Sequence, residues 1–251
     1  MTRTPHSLIA SVLLIVAGAA QASSTVDFSN GDGGWEGINP TEPIPGFGTW
    51  IDPTLGHTAP ALHSVIPDSF VLHWQNTTSA VTGSFSQPGS VTIGLDVNAN
   101  SIINLFTGEE VSRDLVVELR DYDSGVNGIP YSSVWFNLGT LAAGNGWQHL
   151  SATIGDTTSA TLPSGWNGYG DWNADGTGTL PAGVSFADIL KGVDEVAFTT
   201  AVPDWMYGYT YFDVALDNVS ISAVPEPTTV VLQGLGLAAL AGIVRRKRQA
   251  R

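Results

Sequence analysis

The chain has no cysteine in 251 residues. That excludes disulfide staples, a thiolate nucleophile and cysteine-bound metal. Positive charge is almost as scarce, with 9 Lys and Arg against 23 Asp and Glu. Most of it sits at the ends, at Arg3 and at Arg245, Arg246, Lys247, Arg248 and Arg251. The body between keeps Arg113, Arg120 and Lys191, so 3 basic groups face 22 acidic ones, a net charge of −19. Such a body repels nucleic acid and anionic membranes, and no nucleic-acid partner is expected. Its acidity either attracts divalent cations or keeps the protein soluble. Catalytic signatures are missing too: there is no G-x-S-x-G, and His57, His63, His73 and His149 show no H-E-x-x-H spacing. A glycosidase needs two carboxylates across a cleft, whereas Glu118, Asp121 and Asp123 read as a solvated strand end. A non-catalytic protein is expected. Long apolar runs are also absent, apart from one short run at each terminus.

Those two runs have the form of addressing segments. Arg3 precedes an apolar run from Leu8 to Ala20, and Ala20-Gln21-Ala22 is an A-x-A cleavage signal. Residues 1–22 are therefore expected to be a secretory signal peptide with its own helix. At the other end, Val224-Pro225-Glu226-Pro227 fixes φ twice and removes two backbone donors, which makes a stiff extended peptide. Residues 228–244 follow as a glycine-bearing apolar segment at the lower length limit for a transmembrane helix, and Arg245 to Arg248 form a basic stop.

These three parts in this order resemble the PEP-CTERM sorting signal of exported proteins of Gram-negative bacteria. The resemblance covers residues 223–251 and implies Val224, Pro225, Glu226 and Pro227 as the sorting motif. It also implies exosortase as the processing partner, and membrane attachment through the tail before processing. The expected route is export through the inner membrane to the cell envelope, the cell surface or the extracellular matrix.

Residues 23–222 read as one domain. Gly, Ser, Thr and Asn are abundant, and eight Trp supply apolar surface for a core. Period-two alternation marks strands at 69–75, 80–86, 90–97, 114–121, 131–138, 147–154, 193–200 and 209–222. Shorter strands are expected near Val26, Trp35 and 47–51. In the last long strand, Phe212, Val214 and Leu216 share one parity and Val219 and Ile221 the other, so a bulge is expected at Asp217-Asn218. The segments 52–67 and 156–181 read as loops, and 98–113 as a loop or short hairpin. Ser185 caps a single short helix to Lys191, with Asp188 three residues on and Gly192 as its stop. The fold class is all-β, an antiparallel jelly-roll-type β-sandwich with one short helix, plus the two terminal helices.

Asp27-Phe28 followed by a Gly-rich turn and Trp35, and the closing Phe212 to Ile221 with Asp217-Asn218-Val219, resemble the first and last strands of jelly-roll carbohydrate-binding modules. That resemblance implies a sandwich whose first and last strands neighbour, with a structural Ca²⁺ beside Asp27 and Asp217. Asx turns at the same residues are the other reading. A D-x-[DN]-x-[DN]-G pattern elsewhere, Asp171, Asn173 and Asp175 before Gly176, suits a looser Ca²⁺ loop or a turn closed by its own side chains. Trp166, Tyr169 and Trp172 lie around it and are the candidate sugar-stacking residues; loop anchoring is their alternative role. The expected function is an exported, non-catalytic β-sandwich binding extracellular polysaccharide. The other readings are a structural matrix protein without a specific ligand and a glycan hydrolase.

Overall fold

The computed structural model describes residues 24–38, 45–87, 89–203, 205 and 207–225. The signal segment 1–22 and the apolar segment 228–244 lie outside these. Among the described residues, no helix is long and apolar enough to cross a membrane.

Fourteen strands make two facing antiparallel sheets and a small hairpin. The first sheet contains β1 (Ser24–Val26), β3 (Gly48–Asp52), β4 (Ala61–Ser69), β6 (Gly89–Asn104), β9 (Gln148–Ile154) and β14 (Thr210–Pro225), in the order β3-β4-β14-β6-β9 with β1 also on β14. The second contains β2 (Glu36–Gly37), β5 (His73–Asn76), β7 (Arg113–Asp121), β8 (Ser132–Leu141), β10 (Trp166–Tyr169) and β13 (Glu195–Thr199), in the order β10-β8-β7-β13-β5-β2. β11 (Asp171–Trp172) and β12 (Gly178–Thr179) pair as the hairpin. This is the expected jelly-roll-type sandwich. Its first and last strands pair directly, Val26 opposite Val219 and Ser24 opposite Ile221.

Period-two alternation builds the core between the sheets. Val91, Ile93, Leu95 and Val97 face Leu115, Val117 and Leu119 across it, with Trp74, Val196, Phe198, Phe212, Val214 and Leu216 in the same cluster. Each such side chain contributes about 1.5–3 kcal/mol of transfer free energy when buried. In β14 the register slips between Asp217 and Ser220, and Asn218 takes φ 48°. The extra residue turns Val219 and Ile221 back inward, where both are buried. Asp217 lies at the slip, wholly buried, and accepts N–H bonds from Asn218 (2.7 Å), His57 (2.9 Å) and Thr58 (3.2 Å). Its carboxylate satisfies the Asn218 donor at the slip and two donors of the β3–β4 connection.

The helix α1 (Phe186–Lys191) forms as expected, with the reciprocal capping box of Ser185 and Asp188. Its Leu190 carbonyl accepts N–H bonds from Phe85 and Ser86. That contact explains one departure from expectation. Residues 80–86 do not form a strand: they place Val81 and Phe85 in the core as irregular chain, and Gly83 bridges Val193. Two further corrections are additions. Residues 61–69 form β4 despite Pro67, because the β4–β14 register shifts between Ile66 and Ser69, and the proline occupies the extra position. β6 continues to Asn104 rather than stopping at Val97, held by β14 over its length. The alternating stretch from Ser69 shrinks to β5, and Phe70 is exposed beyond it.

The outer face of the first sheet carries ion pairs. His63 on β4 sits between Asp213 (Nε2 to Oδ1, 2.8 Å) and Asp52 (Nδ1 to Oδ2, 3.4 Å). Burial alone would lower its pKa, but Asp213 and then Asp52 outweigh that and hold it above the ordinary 6.5. Asp213 and Asp52 are in turn held low, although burial opposes this for Asp213. A raised histidine adds stability in full below its unfolded pKa and loses it as pH rises through the folded one; the lowered carboxylates lose theirs as pH falls through their folded values. His63→Asn should therefore narrow its stability deficit against wild type between pH 6 and pH 9 in thermal melts. A constant deficit across that range would contradict a charged His63.

Candidate functional site

Charged groups on an outer sheet face normally stay in water. On the second sheet they do not. Glu118 on β7 is 1% exposed and Glu195 on β13 is 3% exposed. They alternate with the core residues Leu119 and Val196, so both point outward, away from the core. Arg120 joins them. Its Nε and Nη2 donate to Glu118 Oε2 at 2.9 and 2.6 Å, and its Nη1 donates to Glu195 Oε1 at 2.7 Å. Ser133 on β8 donates to Glu118 Oε1 at 2.6 Å, and Tyr122 donates its phenol proton to Glu195 Oε2 at 2.6 Å. His73 on β5 approaches Glu195 at 3.6 Å and pairs with Gln75.

Aromatic rings cover this network. Tyr131 stacks over the Arg120 guanidinium at 4.7 Å from its centroid. The rings then continue in contact: Tyr122 to Tyr131 at 5.6 Å, Tyr131 to Tyr169 at 5.8 Å and Tyr169 to Trp172 at 5.9 Å. Tyr122 and Trp172, at the two ends of the row, are 44% and 50% exposed. Burial raises the Tyr131 phenol, with Glu118 adding to it. Burial would raise Glu195 as well, but His73, Tyr122 and Arg120 together hold it below its ordinary value. Burial opposes the charge on Arg120, but Glu118 first, then Tyr131 and Glu195, outweigh it and hold the guanidinium firmly protonated.

Three elements deliver the row. The β7–β8 connection carries Tyr122, in a one-turn 3-10 helix capped by Asp121, and Tyr131. β10 carries Tyr169, and the β11–β12 hairpin carries Trp172. The segment expected to be a structureless loop, 156–181, is thus partly strand, because β10 adds to the edge of the second sheet along β8.

The candidate residues divide. Tyr169 and Trp172 are together on this face. Trp166 is not: as β10 alternates, its ring turns inward, is 5% exposed, and packs against Phe136 and Phe186 at 5.6 Å each. Its assignment as a sugar-stacking residue is corrected to a core anchor. Glu118, expected at a solvated strand end, is likewise corrected to a buried ion pair. Arg120, Tyr122, Tyr131 and Glu195 were missed. The available signal was Arg120 itself, one of three cations in the body, placed one residue from the end of β7 with the parity of Glu118.

Asp171, Asn173 and Asp175 are gathered in the β11–β12 turn and bond locally. Asp175 accepts from Thr177 N and Oγ1 at 3.0 and 2.7 Å, Asn173 donates to Thr177 Oγ1, and Asp171 accepts from Trp172 N. Asp27 is used by Ser29, and Asp217 by three backbone donors. Ca²⁺ takes about six to eight oxygens. Among the described residues no group of three or more His, Asp or Glu side chains could hold a metal ion. As placed, the carboxylates of both sets are engaged by nearby N–H and O–H donors. Melting the protein with and without EDTA should give the same midpoint; a fall on chelation would reinstate a structural ion.

A second concavity, of about 360 Å³, opens between β2 and β3 and is lined by Asp32, Trp35, Glu36 and Trp50. It gathers no ring row or charged network of the kind on the second sheet.

The last strand leads out of the sandwich into the tail. β14 pairs with β6 as far as Val224 opposite Ser90 and Pro225 opposite Gly89. Residues 223–248 match the PEP-CTERM protein-sorting motif. The match implies export and surface sorting. The PEP-CTERM segment therefore begins inside the sheet, with its first proline at the end of the β14 ladder; Glu226 and Pro227 lie outside the described residues. No curated protein matches the chain. Solved structures similar to it include a family 11 carbohydrate-binding module from Clostridium thermocellum in complex with a β-1,3-1,4-mixed-linked tetrasaccharide (TM-score 0.47, 12% identity, 83% of this chain and 99% of that one). They also include a xylan-binding domain of family 22 (TM-score 0.42, 11% identity, 82% and 97%) and an exo-β-agarase (TM-score 0.45, 12% identity, 79% and 24%).

Proposed function

We propose that the protein is an exported, surface-sorted glycan-binding module whose ligand lies along the outer face of the second sheet. The observation that carries this reading is the row Tyr122, Tyr131, Tyr169 and Trp172, set in mutual contact over a buried charged network. The rings meet edge to face or tilted, at 74°, 48° and 85°, so the faces open to the apolar side of a pyranose are those of the exposed end rings, Tyr122 and Trp172. The network beneath holds the rings still, so little side-chain entropy is lost on binding. Exosortase is the processing partner that the sorting motif implies, and the envelope or its extracellular polymer is where the mature domain would act.

Binding rather than hydrolysis is favoured by the burial and pairing of the two carboxylates, which leave neither open to a substrate. A glycosidase acid must hold a proton near neutral pH. Glu118 and Glu195 share one guanidinium, and Glu195 is held below its ordinary pKa.

In affinity electrophoresis through gels of β-glucan, xylan or agarose, the full-length protein should be retarded by at least one. Tyr169→Ala and Trp172→Ala should each weaken that retardation about tenfold, the effect of losing one stacked ring. Retardation unchanged in both variants would remove this face as the site. No retardation in any gel would favour a matrix protein without a specific ligand.

A further inference from the structure

The strand directions give the sandwich two poles. β14 runs 16 residues from Thr210 to Pro225, and antiparallel β1 starts at Ser24 opposite Ile221. The N-terminal strand and the entry to the sorting tail therefore share one pole. The opposite pole lies about 50 Å away along β14, at 3.2–3.4 Å per residue. It is formed by the loops after β4, after β6 and before β14.

That far pole is apolar where solvent reaches it. Phe106 is 75% exposed, Trp205 65%, Leu105 45%, Tyr209 42% and Phe70 38%. These side chains are held rather than loose. Phe70 stacks on Tyr209 at 4.1 Å, Phe106 meets the same ring at 6.2 Å, and the Leu105 N–H donates to the Tyr209 carbonyl at 3.0 Å. Trp205 packs edge-on to Tyr207 at 6.4 Å, and Tyr207 lies over the Arg113 guanidinium at 4.6 Å. Exposed rings gathered at one end of a sandwich in this way mark an interaction site.

Charge narrows the occupant. A second copy of a −19 body, or an anionic lipid surface, would be repelled. Arg113 offers an anion little, since it is 6% exposed and capped by Tyr207. An uncharged polysaccharide meets no such repulsion, and exposed Trp, Tyr and Phe faces are what its C–H faces stack on. We propose that this pole is a second glycan-contact site, for uncharged polysaccharide, carried at the end of the sandwich farthest from the sorting tail.

The test is retention of the full-length protein on insoluble cellulose and in β-glucan gels, with alginate gels and anionic phospholipid vesicles as controls. The double variant Phe106→Ser/Trp205→Ser removes exposed rings and should keep the wild-type melting midpoint. It should reduce retention on the uncharged polymers about tenfold, independently of Tyr169→Ala and Trp172→Ala. Wild-type retention in the double variant would overturn the second site and leave the sheet-face site standing. Loss in the double variant alone, with the sheet-face variants unaffected, would support this pole and remove the sheet face. Vesicle binding or a dimer that the double variant abolishes would overturn the proposal in favour of lipid or self-association; vesicle binding that survives the double variant belongs to the tail. No retention of wild type on any polymer would overturn both sites.

Discussion

Replacing Arg120 by leucine should destabilise the sandwich by about 3–5 kcal/mol, the cost of leaving buried charge without its partner. Glu118 and Glu195 are 1% and 3% exposed, and each relies on the same guanidinium. Leucine roughly fills the space but leaves two carboxylates facing each other under Tyr131. A domain has only about 5–15 kcal/mol to lose, so denaturant midpoints should fall far below wild type at neutral pH. The deficit should shrink on acidification. In the variant Glu195 loses the guanidinium that helps offset its burial, so its folded pKa rises and folding gains stability as pH drops toward the unfolded value. The triple variant Arg120→Leu/Glu118→Gln/Glu195→Gln should recover most of the loss. A deficit that is small or independent of pH would mean that the network is more solvated than its geometry implies.

Trp166→Ala should be the second large effect, about 3–5 kcal/mol, as for other buried aromatic residues. The ring lies between Phe136 of β8 and Phe186 of α1, so its loss opens a cavity where the helix meets the second sheet. Glycan retention per folded molecule should not change. Trp172→Ala should behave in the opposite way, costing binding with a near-wild-type melting midpoint, because its ring is half exposed. Measuring midpoint and retention for the pair separates core from surface at two tryptophans six residues apart. A wild-type midpoint in Trp166→Ala would contradict the packing described.

The difference between those tryptophans shows what could be read from the residues. Alternation in 90–97, 114–121 and 209–222 was enough to place the core, and the mixed parity around Asp217-Asn218 located the β14 bulge, because side-chain direction in a strand is set locally. β10 was missed because Trp166 to Tyr169 gains its strand character from lying along β8, a pairing between distant segments that four residues cannot announce. The same limit applies to the candidate site. Tyr169 and Trp172 were found because they cluster in sequence. Tyr122, Tyr131, Arg120 and Glu195 come from separate elements and converge only in the sheet. Pro67 misled for the opposite reason, since a proline excluded from a regular ladder is tolerated at a register shift.

β14 has a mechanical consequence. It is flanked by β6 along its length, with β4 and then β1 on its other side, and it passes into the sorting tail without a linker. Tension between a held tail and polymer held at the far pole would run parallel to this strand. The inter-strand bonds would then be loaded in shear and share the force, instead of opening one after another as in a peeled edge strand. Force spectroscopy pulling from residue 225 against the 105–106 loop should accordingly show a higher rupture force than pulling across the sheet.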